Sequence, residues 1–368
     1  MSGRDRIGQN LRDLMMIPGL SGHEDRVRRA ISARLDALGI AHTTDVLGNL
    51  TATFEGDAGA PSVMLFAHMD QLGFIVRKIE DDGALRLERL GGVPERALAA
   101  QEILVAVGEG RDIPGVIALK SHHATQPDEK YVVTRVADLR VDCGFASRAE
   151  AEAAGIAIGA PVVYAPHVQD LAGGRITGTS VDDRAGCAVM LEVARALAQR
   201  DDGPTVHLVF TVLEEFNLRG AQVAAQTLAP DIAIQLDLML TSDTPEMADR
   251  GEIILGGGPG MSLYSFHGRG TLNGVIPHPA MVSLVETTAK AEGIALQRSA
   301  QSGVLTDLSY VQLAGNGVAS IDLGFPMRYS HSAREVCDLG DLDQLARLLT
   351  AALARIGPGF SLNRDEYT

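Results

Sequence analysis

From Asp170 onward the chain alternates between helix-patterned and strand-patterned segments, and this alternation restricts the fold more than any other feature. Apolar residues recur at helical spacing over 184–197, 219–228, 280–292 and 342–356. Between them, 206–213, 232–236 and 318–323 are short, aliphatic and rich in β-branched residues, the signature of buried strands. A chain that alternates in this way builds a largely parallel sheet covered by helices on both faces. Ahead of this region, Ile7, Leu11 and Leu14 share one helical face that stops at Pro18-Gly19. Ser21-Gly22-His23-Glu24 has capping-box spacing, and Val27, Ile31, Leu35 and Leu38 follow at helical intervals. Strands are expected at 49–54 and 63–67.

Between Gly73 and His167 the texture changes. Short apolar runs at 74–76, 84–87, 103–107 and 162–164 are punctuated by Gly and Pro and interrupted by one helical patch at 147–154. This stretch reads as a small β-barrel or sandwich inserted into the α/β domain. The expected division is therefore 1–72 with 168–368 as one domain, and 73–167 as the insert.

Composition excludes several partner classes. A net charge of -15 argues against nucleic acid or an anionic membrane surface. No apolar run is long enough to span a bilayer, and the first residues lead into an amphipathic segment rather than a secretory signal. Cys143, Cys187 and Cys337 are odd in number and lack a CxxC spacing, which fits reduced thiols in a cytoplasmic protein. Aromatic residues are only 4% with no Trp, so no sugar-binding or base-stacking platform is advertised.

The residues with chemical potential gather after predicted strands. His68 and Asp70 lie on one side of an extended chain at the end of 63–67, which suits a metal-binding imidazole steadied by a carboxylate. Asp182-Asp183 precedes a helix, where acids ordinarily cap, but a carboxylate fixed there can also bridge two cations. Glu214-Glu215 follows a buried strand; neighbours on an extended chain face opposite ways, so one can bind metal while the other faces a reacting water. Asp237 is expected to end the next strand, and His331 lies in a loop after another. In open α/β sheets the carboxyl edge of the strands is where sites assemble. Two His and three carboxylates with no Cys suit Zn²⁺ or Co²⁺, and Mn²⁺ less well. One shared carboxylate would allow two ions about 3.5–4 Å apart, as in hydrolytic two-metal sites. His122-His123 invites a metal reading as well, but its place in the insert favours a loop or interface role.

Six ordered stretches carry a family resemblance: AHMDQLGF at 67–74, SVDDRAG at 180–186, LEEFNLRGA at 213–221, DL at 237–238 with DTP at 243–245, TD at 306–307, and PMRYSHS at 326–332. In these the chain resembles the tetrahedral aminopeptidases, a zinc- or cobalt-dependent group that includes glutamyl and deblocking aminopeptidases. The resemblance implies a three-layer α/β/α metallopeptidase domain with a mixed, largely parallel sheet and an inserted β-barrel-like domain. It implies that His68 and Asp237 hold one ion, Glu215 and His331 the other, and that Asp182 bridges them. Glu214 would be general base and acid, and Asp70 would orient His68. Peptides would be the substrates and a homododecamer the assembly. The segment 261–279 departs from the family pattern; surface or structural roles outweigh substrate contact there for His267, Arg269 and His278. The competing readings are a carboxypeptidase, an N-acyl amino acid deacylase or an endoglucanase-labelled relative on the same scaffold. A binding protein that has lost catalysis is a further one. The β-rich insert between His68 and Asp182 and the complete set of site residues favour the aminopeptidase.

Overall fold

The structure, a computed structural model, describes residues 1–267 and 273–367. Arg269 therefore lies outside the described residues. The main sheet runs, edge to edge, Thr43–Thr44, Leu50–Phe54, Val206–Thr211, Val63–His68, Ile232–Leu240, Ala319–Arg328, Glu335–Asp338, Arg175–Gly178 and Val168–Leu171. Its four central strands are mutually parallel. Strand Val63–His68 is buried along its whole length, as expected of a strand covered on both faces. Its period of two sorts the core: Val63, Leu65 and Ala67 pack against helices Gly3–Met15, Asp25–Ala37, Val181–Leu197 and Leu339–Leu353. Met64 and Phe66 face the opposite layer, with Ala221, Ala224 and Ala225 of helix Gly220–Leu228 and Leu308 and Val311 of helix Leu308–Val311. The result is a three-layer α/β/α arrangement around a mixed, largely parallel sheet.

Strands Gly73–Ile79, Leu85–Leu90, Val141–Asp142, Ile113–Ile117, Glu102–Val105 and Pro161–Tyr164 close into a six-stranded barrel. It has its own core, where Phe74 meets Tyr164 edge to face at 6.2 Å between ring centroids.

Some local expectations change. Glu24 directly precedes helix Asp25–Ala37, yet neither it nor Ser21 supplies a capping box, because the Glu24 carboxylate bonds elsewhere. Asp237 does not end its strand: Ile232–Leu240 continues three residues further, because Ala319–Arg328 is one residue longer and pairs with it throughout. Gly260–Phe266 and Gln297–Ser302, joined in parallel, were not expected from the sequence, nor was the hairpin Val168–Leu171 with Arg175–Gly178. Val168–Leu171 is exposed and Gln297–Ser302 is polar, so these two lack the apolar density that marks buried strands. Among the described residues no helix is long and apolar enough to cross a membrane.

Candidate active site

His68 is the last residue of its strand and is buried. Its Nδ1 lies 3.1 Å from the main-chain carbonyl oxygen of Asp70 and 3.5 Å from that residue's carboxylate. A neutral ring whose Nδ1–H donates to that carbonyl would offer the Nε2 lone pair to a cation. That Nε2 is 3.0 Å from Oδ1 of Asp182. Asp182 has extended rather than helical dihedrals (φ -75°, ψ 109°), so its carboxylate is not committed to the helix that follows. Its Oδ2 is 3.4 Å from Nε2 of His331, which in turn is 3.7 Å from Oε1 of Glu215. One carboxylate thus stands between two imidazoles that arrive from distant parts of the chain.

The supports are specific. Glu335, buried in strand Glu335–Asp338, accepts the N–H groups of both His331 (2.7 Å) and Asp182 (3.1 Å). Nδ1 of His331 lies 3.0 Å from the carbonyl oxygen of Gly92, in the segment between barrel strands. A Cβ at Gly92 would stand 2.9 Å from that nitrogen, so only glycine permits the approach. Gln235 donates to Asp237 at 3.2 Å from two residues back on the same strand.

These side chains line one cavity of about 660 Å³. Two groups of donors converge in it, each with ligand atoms within 4.8 Å of one another: His68, Asp182 and Asp237, and Asp182, Glu215 and His331. Asp182 belongs to both.

Burial governs the electrostatics of this cluster. Burial pushes the carboxyls of Glu215 and Asp237 up to about 7, and Glu214 well above the usual range. Burial works against ionisation of Asp182 too, but hydrogen bonds from His331 and His68 hold its carboxyl well below that range. Arg328, the one guanidinium among the described residues lining the cavity, is already engaged by Asp243 at 2.7 and 3.0 Å. Buried acids in excess of available cations, with two imidazoles and no thiol, form a donor set that fits divalent ions.

Residues 48–348 match the M42 glutamyl aminopeptidase family. The chain belongs to that family. An Escherichia coli (strain K12) relative named putative aminopeptidase SgcX is 36% identical over 98% of this chain and 97% of its own. The lysyl aminopeptidase of Pyrococcus furiosus is 32% identical, covering 95% and 97%. The Pyrococcus horikoshii TET1 peptidase, which can assemble into a tetrahedron or a large octahedral shell, superposes with a TM-score of 0.84 at 28% identity over 95% of this chain and 99% of that one. This M42 chain is thus a peptide-bond hydrolase of the aminopeptidase class, and the family's use of divalent metal extends to it.

Other sequence candidates separate. His267 lines the same cavity, whereas His278 begins helix Pro279–Glu292 and accepts the N–H of Ala280 at 3.2 Å. His122 and His123 sit in an exposed 3₁₀ turn, away from the cavity lining. The sequence assigns no role to Glu335, and Asp307 enters only within the TD stretch at 306–307. Asp307 is buried beside Thr211, 3.5 Å from its hydroxyl, and burial pushes it up to about 8. An acid leading directly into apolar residues, as in Glu335-Val336-Cys337, is the available signal for the first.

Proposed function

We propose that this M42 chain is a dinuclear, Zn²⁺- or Co²⁺-dependent aminopeptidase that removes N-terminal residues from peptides. The observation that carries the reading is the sharing of Asp182 between two three-residue donor groups. His68, Asp182 and Asp237 would hold one ion, and Asp182, Glu215 and His331 the other. When bound, such ions lower the pKa of water and polarise the scissile carbonyl. Glu214 takes the proton from the attacking water and returns it to the leaving amine. Its burial supports that role, because a carboxyl raised above its usual range holds a transferred proton more readily before passing it on. Asp70 keeps His68 in the tautomer that leaves Nε2 free. Leu238, Leu240, Met247 and Met327 give the cavity apolar walls able to receive a substrate side chain.

We further propose that residues 73–167 act as a distinct inserted domain and that the chain assembles as a homododecamer working in the cytoplasm. The kinship with an assembling TET peptidase supports the first step, self-association. The decisive experiment compares metal-stripped and Zn²⁺- or Co²⁺-reconstituted protein on aminoacyl p-nitroanilides, with metal content and light scattering on the same samples. Activity restored at two ions per chain, in a particle of twelve chains, is the expected result. Activity that survives complete chelation would overturn the metal reading, and a fully active monomer would overturn the assembly.

A further inference from the structure

Four successive backbone N–H groups, from Val212 to Glu215, are each accepted by a side chain from another part of the sequence. Val212 donates to Oδ1 of Asn49 at 3.1 Å, and Leu213 to Oε1 of Glu24 at 3.1 Å. Glu214 and Glu215 donate to Oδ1 and Oδ2 of Asp70, both at 3.0 Å. Asn49, Glu24 and Asp70 are all buried. The segment needs them, because strand pairing stops at Thr211 and the next helix starts only at Gly220, leaving these donors without a ladder.

The backbone of this elbow does not rest where it would by itself. Leu213 has φ +61°, a left-handed conformation that a leucine seldom adopts, and Asn217 and Leu218 are left-handed as well. Strained backbone persists only where its surroundings over-determine it. Asp70 fixes the two glutamates themselves, and Glu24 fixes the residue that turns the chain toward them. Glu24 has also left the work expected of its position: it precedes a helix yet makes no cap bond to it. Its Oε1 accepts Gly22 N–H at 2.7 Å, which locks the carboxylate in its own turn. It is held close enough to Asp70 for the two carboxylates to repel. A buried acid kept beside another acid is costly, and here its oxygen accepts the N–H groups of Gly22 and Leu213.

We propose that Glu24 is a positioning residue for hydrolysis, setting the Leu213 backbone and through it the side chains of Glu214 and Glu215. The proposal rests on the roles given above to those two glutamates. What Leu213 requires is an acceptor oxygen at the right reach; the negative charge is incidental. Gln supplies that oxygen, Asp falls one methylene short, and Ala supplies nothing.

The test uses the full-length chain loaded with Zn²⁺ and the variants Glu24→Gln, Glu24→Asp and Glu24→Ala. It measures kcat and KM on an aminoacyl p-nitroanilide, metal content, and amide hydrogen exchange of the peptide covering 212–220. Glu24→Ala and Glu24→Asp should lower kcat about 10²-fold, the cost of misplacing a catalytic group by about 1 Å, with KM little changed. Exchange should quicken in 212–220 and not in the barrel. Glu24→Gln should restore both the rate and the protection. Should Glu24→Ala fail to fold, the Asp and Gln pair makes the same comparison. Unaltered exchange at 212–220 in both Ala and Asp variants overturns the proposal, as does a Gln variant as impaired as Asp. Glu214→Gln, assayed alongside, separates the two readings. If it stays fully active, the base assignment fails, and Glu24 is judged on exchange alone.

Discussion

Asp70 and Glu214 are tied carboxylate to backbone: Oδ1 of Asp70 accepts the Glu214 N–H at 3.0 Å, while its Oδ2 accepts that of the next residue. The main-chain carbonyl of the same Asp70 lies 3.1 Å from Nδ1 of His68. One residue therefore orients an imidazole with its backbone and two glutamates with its side chain. In Asp70→Asn a single oxygen remains, so one N–H faces an amide NH₂. An unsatisfied buried donor costs about 1–3 kcal/mol. Calorimetry should show a lowered Tm, and kcat should fall while KM holds. A variant with unchanged Tm and kcat would refute the double role.

Glu214 and Glu215 share a charge but differ in what surrounds them. Only Glu215 belongs to a convergent donor group. Glu215→Gln is expected to lower metal stoichiometry. Glu214→Gln should retain both ions yet lose about 10²–10⁴ in kcat, the usual worth of general acid–base help. Metal analysis and kinetics on the two proteins side by side decide it; the opposite pattern reverses the assignment.

Metal dependence should carry a pH signature. Burial holds Asp237 and Glu215 at about 7 in the metal-free fold, whereas in an unfolded chain such groups titrate near about 4. Between these values the folded state binds more protons, so its stability falls as pH rises through that window. A divalent ion substitutes for those protons. The gain in Tm on adding Zn²⁺ should therefore grow as pH rises from about 5 to about 7. Calorimetry at each pH, with chelator or with the ion, measures it, and a gain that shrinks with rising pH would count against the cluster as the binding site.

The engagement of Arg328 by Asp243 predicts a substrate charge preference. Arg328 lines the cavity, but Asp243 takes two of its N–H groups. Burial tends to raise the Asp243 carboxyl, yet the Arg328 bonds hold it down to about 2, so the pair stays ionised at any working pH. Leucyl and methionyl p-nitroanilides should outpace the glutamyl compound by about tenfold or more in kcat/KM, one unmatched charge in an apolar pocket being worth at least 1.4 kcal/mol. Asp243→Asn should narrow that ratio by freeing the guanidinium. A wild-type preference for glutamyl substrates would show that Arg328 is available after all.

Much of this architecture is legible in the sequence, for identifiable reasons. Val63–His68 and Ile232–Leu240 are buried strands in a parallel core, so their apolar runs are plain, and site residues follow directly from strand ends or interiors. His68, Asp182, Glu215, Asp237 and His331, singled out beforehand, all line one cavity. The supporting shell is harder to read. Glu24 looks like a helix start and Glu335 like a surface acid, because a side chain that bonds to remote backbone leaves no local period. Gln297–Ser302 is a strand made of polar residues, and its pairing with Gly260–Phe266 is a tertiary fact.

The contact between His331 and the Gly92 carbonyl bears on how freely such a protein can be taken apart. The barrel has its own core and its own closed sheet, which invites treating it as a cassette to be trimmed, exchanged or grafted among relatives. Yet it reaches across with a single carbonyl to steady an imidazole that belongs to the other body, through a gap only a glycine leaves open. A transplanted barrel that lacks that glycine, or carries it a residue out of register, would deliver a well-folded chimera with a loose histidine. Modularity in the architecture is limited at this oxygen as it is at the Arg26–Asp112 ion pair, and a successful graft must be chosen to keep both.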